Sequence, residues 1–357
     1  MLTFHNAENY GATLQAYALK QTLKELGLDA SFVNYENKKI LSDYKLIKTN
    51  SLKSFFSSLW YLPRNLKRKR SFKSFSYVYL DTNTKVYSSK EEIEQDIIDK
   101  DIFVAGSDQI LNPALTDGLS DVYTLNFNNE NIKKIIYGAS IGNEELLQKY
   151  FTDFKEKLAG LDNISVREAS VVESLENIIS NKVEHVIDPT LLLSKTEWDK
   201  LIEENKVCDL SSKKYILVYT LFESEEITKI ANYISKVTGL KIIHFRKYNV
   251  YKNELMNLYS YGPVDFVNAF KNAKYVITNS FHGTVFSLIY EKNFYSVLPN
   301  ERAGRIKDLL QDLELETRII QNEEDVIFDG NINYSLVNEK IEALKAKSKD
   351  FLKKGIS

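Results

Sequence analysis

Short apolar, β-branched runs alternate along this chain with longer stretches of helical period, a pattern that predicts parallel sheets covered by helices. The run 2–4 reads as a strand, followed through a polar turn by a helix over 12–27. Its residues Leu14, Tyr17, Ala18, Gln21, Leu23 and Leu26 fall near one face, and Gly27 ends the pattern. Further strands are expected at 30–35, 100–109, 133–142, 163–168 and 183–193. A second series follows: strands at 215–220 and 240–245, a helix around 223–238, and the segment AKYVITNSFHG (273–283). A helix at 284–292, a strand at 294–299 and a terminal helix over 334–353 complete it.

Several strand–helix repeats on each side of a polar joint near 194–213 indicate an α/β chain of two doubly wound, Rossmann-like domains facing a cleft. The expected boundaries are 1–193 and 214–330, with a C-terminal helix in 331–357. In such sheets ligands bind beyond the carboxyl ends of the strands, so the loops that follow strands are where chemistry is sought. A length of 357 residues fits two cores better than one.

Composition narrows the class. Hydrophobic residues make up 43% and charged residues 27%, as in soluble globular chains. A net charge of −2 argues against general nucleic-acid binding. Cys208 is the one cysteine, so there is no internal disulfide. No apolar run reaches the roughly 18–20 residues that cross a bilayer, and MLTFHNAENYGA lacks the regions of a signal peptide. The expected place is the cytoplasm, with the inner face of the membrane as a second address. The first residues read as the tail of a strand that begins upstream.

One segment breaks the rhythm. Within 51–75, Trp60, Tyr61 and several Phe surround RNLKRKRSFK (64–73), in which six of ten residues are Lys or Arg. A solvated helix face explains it, and so does a patch that meets an anionic membrane or a polyanionic substrate.

The strongest local signal for chemistry is AKYVITNSFHGTVFSLIY (273–290). A buried strand ends in Asn279, Ser280, Phe281 and His282, and Gly283 admits a helix. The start of a helix exposes N–H groups suited to a phosphate or carboxylate, with Gly283 and Thr284 as the expected donors. His282 is placed to exchange protons near neutrality, or else it caps the helix or bonds a neighbouring loop. His5, His185 and His244 show no metal-ligand spacing; the last two read as structural and His5 is left open. Arg167 follows the strand ISV and either pairs with Glu168 at the surface or grips an anion. Asp108, with Ser107 and Gln109 in AGSDQ, could take a hydroxyl proton or cap a helix. Ser140 in YGASIG, and Asn9, Tyr10 and Gly11 in NYGATLQA, occupy similar turns. All of these loops are expected to face one cleft.

Taken in order, NYGATLQAYAL, AGSDQILNP, YGASIG, SVRE, IDPTLLL, NSFHGTVFSLIYEK and RIKDLLQDLELETR resemble the polysaccharide pyruvyl transferase family. The matching pieces span roughly residues 3–320. The resemblance implies a glycosyltransferase-B-like pair of Rossmann-like domains, with donor and sugar meeting between them. It implies transfer of the enolpyruvyl carbons of phosphoenolpyruvate onto two hydroxyls of a cell-surface or lipid-linked glycan, as in capsule or exopolysaccharide synthesis. The product is a pyruvate ketal, and neither metal nor organic cofactor is expected. His282 matches the family histidine that protonates the methylene carbon of the donor. Arg167 matches the arginine that holds the donor's carboxylate or phosphate.

There is one departure. Some members carry an arginine two residues before that histidine, where this chain has Ser280, a neutral donor in place of a bidentate cation. Arg302 and Arg305 are the candidates to replace it; their alternative role is surface charge over Asp308 and Asp312. Two other functions compete: a nucleotide-sugar glycosyltransferase, for which Glu301 would serve the ribose, and a non-catalytic glycan- or membrane-associated scaffold.

Overall fold

The structure is a computed structural model. It describes residues 1–357 apart from 43, 45, 47–51, 97–99, 129–131, 299–303 and 329. The chain forms two compact units. One comprises Met1–Trp60, Phe72–Leu193 and Glu342–Ser357; the other comprises Tyr61–Ser71 and Ser194–Ile341.

In the first unit the strands are β1 (Ile102–Asp108), β2 (Lys133–Ala139), β3 (Asn163–Val166) and β4 (Val183–His185). They pair in that order and all in parallel. Strands covered on both faces need apolar residues at every position. Accordingly Ile135, Ile136, Tyr137 and Ala139 of β2 are all fully buried.

The predicted strand 2–4 is reduced to a bridge between Leu2 and Ala105 on the open edge of β1. The Leu2 amide donates to Val104 O and its carbonyl accepts from Gly106 N, both at 2.9 Å. The predicted strand 30–35 also shrinks: Val33 donates to Met1 O (2.9 Å) and Tyr35 bridges Tyr87. Each segment has a partner for only one or two residues, so no ladder propagates.

The helix Tyr10–Glu25 begins two residues earlier than its apolar pattern. Asn9 caps it, its side-chain oxygen accepting from Gly11 N (2.9 Å) and Ala12 N (3.3 Å). Unlike an ordinary surface helix it is buried almost all round. Even Lys20 is enclosed, its ammonium paired with Asp81 and bonded to Tyr79 O (3.1 Å).

In the second unit the strands are β5 (Tyr215–Tyr219), β6 (Lys241–His244), β7 (Glu254–Asn257), β8 (Tyr275–Thr278), β9 (Asn293–Val297) and β10 (Ile319–Ile320). The parallel order is β10-β9-β8-β5-β6-β7. The chain leaves β5 in one direction through β6 and β7, then returns to add β8 on the opposite side. The β5/β8 boundary is therefore where strand order reverses, the place such sheets use for ligands. The α/β reading thus holds, as two all-parallel sheets.

The polar joint near 194–213 also holds structure. Ser194 and Glu197 form a reciprocal capping box for the helix Lys195–Glu203. That helix buries Trp198 against Phe286, with ring centroids 5.1 Å apart.

His5, left open by sequence, is buried beside Phe32, and its Nδ1 lies 3.0 Å from Thr3 O. Burial pushes its pKa down from 6.5 to about 4. The unfolded chain therefore takes this proton at a higher pH than the folded one. The contribution is fully present above pH 6.5 and lost as pH falls toward 4. Urea unfolding should show a loss of up to about 3 kcal/mol from this group across that window. A His5→Leu variant should flatten the curve there, and an unchanged curve would assign the loss to other groups.

Candidate functional site

At the strand ends of the first unit, close backbone approach comes first. Gly106 in β1 has φ 128° and faces the carbonyl of Tyr137; a Cβ there would overlap that oxygen. Ser107 follows, fully buried. Its amide donates to Gln15 Oε1 (2.9 Å), its carbonyl accepts from Thr3 Oγ1 (3.1 Å) and its hydroxyl donates to Gly138 O. Ser107 therefore ties the Tyr10–Glu25 helix and β2 to β1 from inside the protein.

Asp108, at φ 69°, turns the chain out of the sheet. Its side-chain oxygen accepts from Gln109 N (2.8 Å) and its carbonyl from Ser140 N (2.8 Å). The Gln109 side chain accepts from Asn112 Nδ2 (2.9 Å). Ser140 itself donates to Glu168 Oε1 at 2.5 Å. Glu168 thus holds Ser140 through Oε1, and its carboxylate also acts electrostatically on the neighbouring Arg167.

Arg167 lies just past β3 with its side chain only 1% exposed. It pairs with Asp188, which is itself fully buried, and its Nη2 is 3.6 Å from Asp108 Oδ1. Burial acts to lower the Arg167 pKa. The carboxylates of Asp188, Asp108 and Glu168 outweigh that, and the net direction is up. Asp188 is fixed in turn, accepting from Thr190 N (2.9 Å) and Thr190 Oγ1 (2.6 Å) at the start of a short 3₁₀ turn. His185 Nε2 lies 3.2 Å from the Arg167 carbonyl.

The strand ends thus bring Asp108, Ser140 and Arg167 together and add Asp188 and Glu168. Asp108, 13% exposed, is the more accessible of the two carboxylates against Arg167. Asp188 has a visible signal in hindsight: an Asp-Pro-Thr just past a short strand is a capping sequence. Asn9 caps its helix, Gly11 donates to it, and the Tyr10 ring packs 4.9 Å from that of Phe72.

In the second unit β8 ends at Thr278, whose hydroxyl donates to Tyr219 O of β5 (2.7 Å) and accepts from Ser280 N (3.0 Å). Asn279 accepts from Leu221 N (2.8 Å) and donates to Phe222 O (3.1 Å), tying the loop after β5 to the end of β8. Ser280 is the N-cap of the helix Phe281–Ile289. The Gly283 amide donates to its hydroxyl (3.4 Å) and the Thr284 amide to its carbonyl (3.0 Å), so both donors are engaged inside the first turn. The Thr284 hydroxyl is 2.8 Å from Ser296 Oγ of β9.

His282 is buried in that first turn, its ring edge-on to Phe281 at 5.3 Å. The Arg305 guanidinium of the helix Gly304–Asp312 lies over the same Phe281 ring, 5.8 Å from its centroid. Arg302 and Glu301 lie outside the described residues.

Beyond β5 and β6 there is a cavity of about 430 Å³ lined by Glu223, Ser224, Thr228, Lys229 and Arg246 among others. Arg246 donates to Thr228 Oγ1 (3.4 Å) and pairs with Glu223 (2.9 Å). Among the described residues, no group of three or more His, Cys, Asp or Glu side chains could hold a metal ion. Burial, then Asp265, push the Cys208 thiol up, which suits an unreactive cysteine.

The basic run 64–73 lies on the helix Leu62–Tyr79. Its first half is engaged within the second unit: Arg68 donates to Tyr259 O (3.0 Å), and Lys67 sits 4.1 Å above the Tyr261 ring.

The sequence matches the family model described as Polysaccharide pyruvyl transferase over residues 9–301, most of the chain and including every loop described above. Comparison with curated proteins gives no match.

Gly283 is required for a steric reason, because a Cβ there would overlap Thr278 Oγ1 and come within 2.9 Å of Thr278 Cβ. Gly283→Ala should cost about 1–3 kcal/mol in denaturant unfolding. Gly304→Ala, where a Cβ meets open space, should be close to neutral. Equal effects at the two sites would contradict this packing.

Proposed function

The chain belongs to the polysaccharide pyruvyl transferase family. On that premise we propose that it transfers the enolpyruvyl group of phosphoenolpyruvate to two hydroxyls of a glycan or lipid-linked glycan sugar. The observation that carries this reading is the placement of His282. It occupies the first turn of a helix that starts where β8 ends, beside the point of strand reversal in its sheet.

In this reading His282 donates a proton to the donor's methylene carbon, leaving an oxocarbenium-like centre at the carbon that bears the carboxylate and phosphate. One sugar hydroxyl adds there and gives up its proton. Phosphate then departs with its C–O bond, and the second hydroxyl adds to close the ketal. Of the two hydroxyl protons, one replaces that lost by His282 and the other leaves on phosphate.

Ser280 is used as a cap, so the cation facing the donor comes from elsewhere. Arg305, over the ring next to His282, takes that part. No metal or organic cofactor enters the scheme.

His282→Ala should lower kcat for phosphate release from phosphoenolpyruvate by about 10²–10⁴-fold, with the unfolding midpoint little changed. Mass spectrometry of the acceptor should show the ketal with the parent protein and not with the variant. Undiminished transfer by His282→Ala would overturn the assignment. Arg305→Ala should raise KM for the donor about tenfold or more, with partial recovery in Arg305→Lys. Unaltered donor KM in both would remove Arg305 from the site.

A further inference from the structure

Among the described residues, no helix is long and apolar enough to cross a membrane. One stretch of chain nevertheless combines positive charge with exposed apolar surface. Residues 38–80 carry eleven Lys and Arg against one acidic residue, Asp43. That is a balance of +10 in a chain whose total is −2, so everything else carries −12.

Within this stretch the helix Leu52–Trp60 exposes Phe56 at 64%, Leu59 at 41% and Trp60 at 81%. Spacings of three and four place all three on one face. Tyr61 leads directly into the helix Leu62–Tyr79, where Arg70, Lys73, Ser74, Tyr77 and Val78 are all exposed at the same spacings. That second stripe is cationic at one end and apolar at the other. Soluble surfaces tolerate single exposed apolar residues, but contiguous ones beside basic side chains mark an interaction site. Trp and Tyr suit the boundary between headgroups and acyl chains, where one end of the ring is dry and the other wet.

We propose that the stretch 52–80 binds an anionic phospholipid bilayer, the helix Leu52–Trp60 through Phe56, Leu59 and Trp60 at the headgroup–acyl boundary and the helix Leu62–Tyr79 through Lys69, Arg70 and Lys73 on the lipid phosphates. The charge selects this occupant. A second copy joined through the same stretch, which holds seven Lys and Arg and no acidic residue, would set +7 against +7, since a two-fold interface is made of one patch facing itself. A nucleic acid would satisfy the cations but gives Leu59 and Val78 nothing apolar to bury in. The inference does not depend on the reaction proposed above.

The chain contains two tryptophans, which makes the test direct. Trp198 is fully buried, whereas Trp60 is exposed, so a change in the polarity around tryptophan on binding is expected from Trp60. The full chain should co-float with vesicles of mixed phosphatidylglycerol and phosphatidylcholine and stay behind with phosphatidylcholine alone. Trp60 emission should shift to the blue on the anionic vesicles and be quenched by brominated acyl chains. Binding should weaken as salt is raised. Lys69→Glu with Arg70→Glu and Lys73→Glu should cut partitioning by about 10²-fold or more. Phe56→Ser with Leu59→Ser, which leaves Trp60 in place to report, should reduce both co-flotation with anionic vesicles and the blue shift while the thermal midpoint is kept.

Equal partitioning onto neutral and anionic vesicles, or none on either, would overturn the proposal. So would binding to an oligonucleotide without binding to vesicles. Concentration-dependent dimerisation that Trp60→Ser abolishes would assign the patch to a second copy instead.

Discussion

The first unit is organised around a buried charge. Arg167 cannot be deprotonated at any ordinary pH, and its side chain is closed off from water. An isolated cation in that place would cost many kcal/mol, so its position requires Asp188. Asp188 in turn requires the Thr190 amide and hydroxyl to satisfy the oxygen that Arg167 leaves. These groups come from the ends of successive parallel strands, β3 and β4, and the register of the two strands brings them together. Asp108, from the end of β1, completes the arrangement at 3.6 Å. Whatever Asp108 does at the surface, its orientation rests on a pair that substrate need not touch.

The second unit solves the analogous problem without a charge. Its reversal point is held by neutral groups: the Thr278 hydroxyl on β5, the Asn279 side chain on the loop after β5, and the Ser280 cap. Gly283 is the steric condition for this, as Gly106 is for the first unit, because in both a Cβ would occupy space already taken by a neighbouring strand's atoms. The helix that carries His282 is therefore fixed at its first turn by packing and by three short hydrogen-bonding residues in a row. Ser280 fits this account as a capping residue, the role for which a serine is better built than an arginine.

Much of this was legible in the sequence, and the omissions have physical causes. Continuous apolar runs announce strands buried on both faces, so β1, β2, β5, β8 and β9 are legible from the residues alone. The segments 2–4 and 30–35 carry the same composition, yet they find partners for only one or two residues, and composition does not show how far a ladder extends. β7, ELMN, sits at a sheet edge with every residue half-buried, and such a strand has no apolar signature to read. The helix Lys195–Glu203 was readable from its Ser194–Glu197 box but was masked by its polar surroundings. Among site residues, His282 follows from its place after a strand. The partner of Arg167 does not: Asp188 is distant in sequence, and only strand register brings the two into contact. Burial reverses the meaning of Arg167, from a surface grip to an internal support.

The claim that Arg167 is held by the protein, and not kept for a ligand, is tested most directly by a double-mutant cycle in denaturant unfolding. Arg167→Met and Asp188→Leu should each destabilise by about 3–5 kcal/mol, since each leaves a buried charge unanswered. The double variant should recover most of that loss, short of about 1 kcal/mol for the missing cap at Thr190. If Arg167→Met is nearly neutral for stability and the two effects simply add, the guanidinium is not the internal support described here.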